Sequence, residues 1–211
     1  MRKIKHLAIV VAALSIMACS SDKDRSTSEG VAESQTEAST PVTSGKYKIK
    51  SGTIHFETSG MGLKGKKIVY FDDYGAKERV ETYSGDDPLE GYNTSDGKKR
   101  YYVDLENKSA WIVDEYGSRG WEMEFQSWET IERQGDDKFK RVDNITVAGK
   151  DCEAYEYNGL AVFAGWQGLT LYHKQKPDLL VEAVKLEENV EHDASLFGVP
   201  EGFELKERPA F

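Results

Sequence analysis

The stretch Ile68-Val69-Tyr70-Phe71-Asp72-Asp73-Tyr74-Gly75 decides the fold class. Four consecutive β-branched or aromatic residues favour a pleated strand, and a run so short does not make a helix. The Asp-Asp-Tyr-Gly that follows is turn chemistry, because its glycine can take positive φ and reverse the chain. The same order recurs at Trp111-Ile112-Val113-Asp114-Glu115-Tyr116-Gly117. Connections this short join antiparallel neighbours and leave no room for a helical crossover. Working outward, strands are expected at residues 47–56, 67–71, 78–83, 100–105 and 110–113, which makes the first half a β-meander. Tyr47 and Ile49 lie on one parity and Ile54 and Phe56 on the other, so a bulge is expected near Ser51-Gly52.

The period changes once. Trp121, Phe125 and Trp128 fall at i, i+4 and i+7, with Glu122, Glu124, Glu129 and Glu132 elsewhere, which predicts an amphipathic helix over 121–131. Strands resume at 145–147, 152–157, 160–163, 169–173 and 179–186. A short turn at 194–197 then leads into a closing segment at 199–205. The fold class that follows is mainly β (α+β): a curved antiparallel sheet or half-barrel with one amphipathic helix packed on a face.

Several strands are apolar on both parities, among them Ile68 to Phe71, Trp111 to Val113 and Leu160 to Phe163. A sheet with one wet face would alternate, so both faces need cover. Either the helix supplies that cover and completes a plain core, or it leaves an apolar groove. Such a groove would be lined by Trp111, Trp121, Phe125, Trp128 and Trp166, the candidate ligand-binding residues.

The chain begins with a basic stretch (Arg2, Lys3, Lys5) and an apolar run from Leu7 to Met17, the layout of a secretory signal peptide. That run is well short of the roughly 20 residues a spanning helix needs. It ends in Leu14-Ser15-Ile16-Met17-Ala18-Cys19, which resembles a bacterial lipobox. Residues 1–18 are therefore expected to be removed and Cys19 acylated, anchoring the protein to a membrane. Two or more acyl chains hold where one does not, because each buried methylene contributes roughly 0.8 kcal/mol. Residues 19–45 form a Ser/Thr/Glu-rich tether with no aromatic residue, too polar to fold and spanning roughly 30 Å as a flexible coil. Ser20-Ser21-Asp22-Lys23-Asp24 is somewhat similar to the acidic export tags of Bacteroidetes outer-membrane lipoproteins, and an ordinary solvated linker would read the same way. Residues 46–211 are one domain.

Only two cysteines occur, and with Cys19 lipidated Cys152 has no partner for a disulfide. Flanked by Asp151 and Glu153, with no cation next to it, Cys152 is expected to be buried and inert. Loss of residues 1–18 lowers the 28 lysines and arginines to 25 and leaves the 37 acids, taking the formal charge from -9 to -12. Such acidity excludes nucleic acid as a partner, which needs clustered basic residues.

Catalytic patterns are missing. Gly60-Met61-Gly62-Leu63-Lys64-Gly65 fits a dinucleotide fingerprint but precedes a strand where that motif needs a helix, so it reads as a hairpin loop. His55, His173 and His192 have no metal-ligand spacing, and no cofactor or metal is expected. His55 and His173 read as sheet residues and His192 as part of an acidic turn. The expected loop 84–98, with Asp86, Asp87, Glu90 and Asp96, could hold a hard cation only weakly, lacking calcium-loop spacing.

Tyr47-Lys48-Ile49-Lys50-Ser51-Gly52, Tyr70-Phe71-Asp72-Asp73-Tyr74-Gly75, Ile145-Thr146-Val147-Ala148-Gly149-Lys150-Asp151-Cys152 and Leu196-Phe197-Gly198-Val199-Pro200-Glu201-Gly202-Phe203 resemble stretches of Bacteroidetes outer-membrane lipoproteins. These are similar in layout to the periplasmic lipoprotein-carrier (LolA/LolB-like) half-barrel superfamily. The resemblance implies a half-barrel with an apolar concave face, holding acyl chains in the carriers themselves, and transfers no catalytic residue. The expected function is a non-enzymatic, membrane-anchored lipoprotein of the cell envelope, at the outer membrane, binding a lipid or acyl chain or a lipoprotein partner. The alternative is a pocketless structural or interaction module of an envelope complex.

Overall fold

A computed structural model describes residues 45–113 and 124–207. Cys19, the tether up to residue 44, Trp121 and the second Asp-Glu-Tyr-Gly turn lie outside the described residues. The first meander comprises β1 (Gly52–Gly60), β2 (Leu63–Asp72), β3 (Lys77–Ser84), β4 (Gly91–Asp96), β5 (Arg100–Asp104) and β6 (Ser109–Val113). After helix α1 (Trp128–Gln134) a second meander follows: β7 (Phe139–Val147), β8 (Lys150–Tyr157), β9 (Ala161–Trp166), β10 (Leu169–Gln175) and β11 (Leu179–Glu188). β12 (Glu204–Lys206) is the last strand among the described residues. All twelve belong to one curved, unclosed sheet in the order β12-β6-β5-β4-β3-β2-β1-β11-β10-β9-β8-β7. The meanders are joined by the antiparallel β1·β11 pair, and among these strands only β12 runs parallel to its neighbour, β6. The mainly β class with one helix is as expected.

Turn chemistry sets the register. Gly60 pairs with Leu63, Val147 with Lys150 and Trp166 with Leu169, each pair closing a two-residue loop. The central residues Met61-Gly62, Ala148-Gly149 and Gln167-Gly168 all have positive φ. That is the type I′ geometry whose twist matches the flanking strands, and a glycine takes the second position without steric cost. The Gly60-Met61-Gly62 motif is thus a hairpin loop. Asp72-Asp73-Tyr74-Gly75 does reverse the chain, as a short 3-10 turn with the Asp72 carboxylate accepting from the Asp73 amide.

Three expectations are corrected. Residues 47–50 are not part of β1. Tyr47 and Ile49 are buried, and the segment is tied to other loops by Tyr47 N–H to the Tyr74 carbonyl and Lys48 N–H to the Gln167 carbonyl. The parity break is therefore resolved by leaving the strand, and the register shift in β1·β11 sits further on, at His55/Phe56. The helix starts at Trp128, because residues 124–127 are held extended: Glu124 bridges Leu169 and the Phe125 amide donates to the Gly168 carbonyl at 2.7 Å. Finally, six residues of the expected loop 84–98 are strand β4, whose Asp96 carboxylate accepts from the Lys98 and Lys99 amides and the Tyr101 hydroxyl to close its own turn.

The apolar residues sort into three clusters. The largest takes Ile54, Phe56, Val69, Phe71 and Val80 from the first meander and Val147, Cys152, Ala154, Ala164, Leu169 and Leu171 from the second. On the opposite parity of the first meander lie Tyr92, Tyr101, Val103 and Ala110, packed against Val199 and Phe203. The segment after β11 therefore covers the back of that meander, which is why its strands are apolar on both parities. The third cluster packs Phe125, Ile131 and Trp128 against Tyr155, Phe139 and Phe163.

Candidate functional site

The candidate aromatic residues are dispersed. Phe125 is 7% exposed and stacks on Tyr155 at 5.1 Å between ring centroids. It fits there because residue 165 is glycine: an added Cβ would stand 2.1 Å from the Phe125 ring. Trp128 is partly buried in the same cluster, and its amide donates to Glu153 Oε2 at 2.9 Å, so a β8 carboxylate holds the start of α1. Trp166 packs against the main cluster with Lys150 Nζ 4.4 Å from its ring centroid, and Lys150 pairs with Glu188 at 2.5 Å. Trp111 lies on β6, at the far end of the sheet order, beside Tyr102 at 5.9 Å. Trp121 falls outside the described residues.

Two of these aromatics do share a cavity. A space of about 550 Å³ opens between residues 124–127 and strands β7 to β9, with Phe125, Trp166 and Gly165 among its walls. Its other walls are polar and carry both signs of charge: Lys46, Lys48 and Arg141 against Glu124, Asp151 and Glu153. Several are already engaged, Lys46 with Glu78 at 2.9 Å, Arg141 with Glu153 at 3.6 Å, and Asp151 with the Asn144 amide at 3.0 Å. Neighbouring opposite charges neutralise one another locally, so the cavity presents a dipolar wall and not a single-sign field.

Three groups whose protonation is shifted by burial, Lys67, His173 and Cys152, lie outside that cavity. Burial lowers Lys67 to about 8, its Nζ resting 4.5 Å from the Phe56 ring centroid. His173 stacks on Phe163 at 4.5 Å and is lowered by burial and then by the Lys67 charge. Cys152 is fully buried and pushed up to about 11 by desolvation, which keeps the thiol protonated and unreactive. Among the described residues no three His, Cys, Asp or Glu side chains converge as a metal site would require. Nor is any helix among them long and apolar enough to cross a membrane.

Sequence reasoning read the β4 region as a loop of carboxylates and missed Asn93 and Tyr102. Asn93, Tyr102 and the loop carboxylates Asp87 and Glu90 come together around a second cavity of about 230 Å³. Tyr102 follows Tyr101 in a strand of alternating burial, and that alternation was the available signal.

No protein family matches the chain, and no curated protein matches it. Solved structures do. An uncharacterized conserved protein from Thermus thermophilus is 9% identical over 75% of this chain and 91% of its own, with a TM-score of 0.51. MucB is 11% identical over 74% of this chain and 59% of its own, at 0.43. PNGF-II is 13% identical over 76% of this chain and 31% of its own, also at 0.43. The Thermus protein shares the fold, and the other two likenesses are too low to carry a conclusion.

Proposed function

We propose that this is a non-enzymatic protein of the bacterial cell envelope, anchored through acylated Cys19 at the outer membrane, that works by binding an extended segment of a protein partner. One observation carries the proposal: the cavity of about 550 Å³ joins an aromatic floor, Phe125 and Trp166, to polar walls that carry both signs of charge. An extended peptide offers alternating donors and acceptors plus charged side chains, which such walls match. A cavity for an acyl chain would be walled mainly by apolar groups. The helix aromatic that could have supplied such a wall, Trp128, is packed in the cluster with Ile131 and Tyr155 instead. An acyl chain is the second reading, favoured by the same aromatic floor.

The test places a photo-crosslinking residue at Gln167, on the cavity wall, in the full chain in its membrane. The same residue at Glu106, on the β5–β6 turn, is the control. A discrete protein adduct at Gln167 and none at Glu106 is expected. In parallel, the solubilised protein is titrated with a fluorescent fatty acid. Saturable uptake without an adduct would replace the peptide by an acyl ligand, and neither result would remove both readings.

A further inference from the structure

We infer that the open face of β4 to β6 is a carbohydrate-binding site, with Tyr102 and Trp111 as its stacking platform and the Asn93 amide and loop carboxylates as its hydroxyl partners. The site stands apart from the peptide cavity, and it does not depend on that assignment.

One row of paired residues crosses the first meander: Ile54, Val69, Val80, Asn93, Tyr102 and Trp111, each opposite the next. Its first members are core, with Ile54 and Val69 fully buried. Beyond Val80 the same face opens, and Tyr102 is 40% exposed. The Tyr102 and Trp111 rings pack beside one another at 5.9 Å with a tilt of 32°, which makes one aromatic surface of the two. Gly91 makes room for the phenol, since an added Cβ would stand 2.9 Å from the Tyr102 hydroxyl. Lys206 Nζ lies 5.5 Å from the Trp111 ring centroid and steadies that end.

Beside the platform is the cavity of about 230 Å³, walled by Thr82, Ser84, Asp87, Glu90 and Asn93 together with Tyr102. Asn93 Oδ1 is shielded from solvent and has no hydrogen-bond partner in the protein. A buried carbonyl without a partner is destabilising, and a ligand hydroxyl would offset that by donating to it. The carboxylates of Asp87 and Glu90 accept from further hydroxyls, and the hydroxyls of Thr82 and Ser84 both donate and accept. A flat aromatic surface next to a small pocket that seeks neutral donors suits a pyranose ring, whose one face is C–H and whose rim is hydroxyl. The volume lies below the roughly 300 Å³ at which pockets for larger ligands begin, so one ring is held and any further rings run over the platform. A lipid would leave the carboxylates unpaired, and an anionic ligand would be repelled by them.

The full chain carrying Cys19→Ala is titrated with glucose, galactose, mannose, N-acetylglucosamine, cellobiose and maltose. The Trp111 indole N–H and the Gly91 and Asn93 amides are followed by NMR. At least one sugar is expected to shift all three saturably while leaving the Gly165 and Gly168 amides in place. Tyr102→Ala should weaken that binding by about tenfold, the equivalent of one lost stacking contact, while Tyr102→Phe stays within about threefold. Asn93→Ala is the second variant, and it should weaken binding with the spectrum otherwise unchanged. No saturable shift with any of the six sugars, or shifts that survive both Tyr102→Ala and Asn93→Ala, would overturn the assignment.

Discussion

The two ends of one row of side chains behave as different materials. At one end Ile54, Val69 and Val80 are packed between the two meanders; at the other Asn93, Tyr102 and Trp111 lie on the same face of the same sheet with access to solvent. Burial changes along the row because the second meander pairs only with β1, so its cover reaches β3 and stops short of β5. Packing thus decides stability at one end and leaves side chains free for recognition at the other. A strand pattern read residue by residue sees the parity but not how far the cover extends.

The largest break in this comparison should come from Phe71→Ala, which empties a fully buried site against Tyr47. A loss of about 3–5 kcal/mol in urea unfolding is expected. Trp128→Ala should cost about 2 kcal/mol, less than a fully buried aromatic, because the ring is only partly covered. Gly165→Ala forces the Phe125 ring away from β9 and should cost about 1–3 kcal/mol, with the 124–127 segment losing amide-exchange protection. Tyr102→Ala should stay within about 0.5 kcal/mol of wild type, as an exposed substitution does. If it matched Phe71→Ala, the open end of the row would be core after all.

Cys152 sharpens the same contrast through pH. Burial raises its folded pKa from 9.0 to about 11, so the folded state holds the thiol proton more tightly than the unfolded chain. Its contribution is fully present below pH 9 and is lost as pH rises toward 11. The urea midpoint of wild type should fall over that window relative to Cys152→Ala, and a constant difference between the two would contradict the assignment. An alkylating reagent at pH 8 should label Cys152 only as fast as the domain unfolds.

Most of the sheet was legible because its turns are written in the chain. The X-Gly pairs at Met61-Gly62, Ala148-Gly149 and Gln167-Gly168 fix loops of two residues, and such loops force antiparallel neighbours. The double-parity pattern signalled cover on both faces at Ile68 to Phe71, but Trp111 lies on the open face and Leu160 is exposed, so there it did not. What covers them was not legible, since Val199 and Phe203 come from a segment whose docking depends on the folded sheet. The helix was misplaced by the same cause. Trp121, Phe125 and Trp128 keep a helical period, yet Phe125 is drawn extended by backbone bonds to the β9–β10 hairpin that no local pattern encodes. β4 escaped notice because Gly91-Tyr92-Asn93-Thr94-Ser95-Asp96 has one aromatic and no aliphatic residue, and it is a strand because β3 and β5 pair with both its edges. The candidate site inherited these gaps: the expected groove included Trp111 but not its neighbour Tyr102, the exposed aromatic beside the strand that the sequence did not reveal.

The pairing of β1 with β11 and the late return of β12 to β6 set the order in which this protein can be made. Gly52 leaves the ribosome long before its partner Glu188, and Tyr92 and Val103 wait for Val199 and Phe203. Loop closure over such distances is slow, because chain entropy is lost before the contacts form. A growing chain would therefore hold an incomplete sheet, with an apolar back and an unpaired β1 edge, until residues 179–205 had been made. A chain cut short near residue 190 would leave that back uncovered and is expected to aggregate more readily than the full sequence.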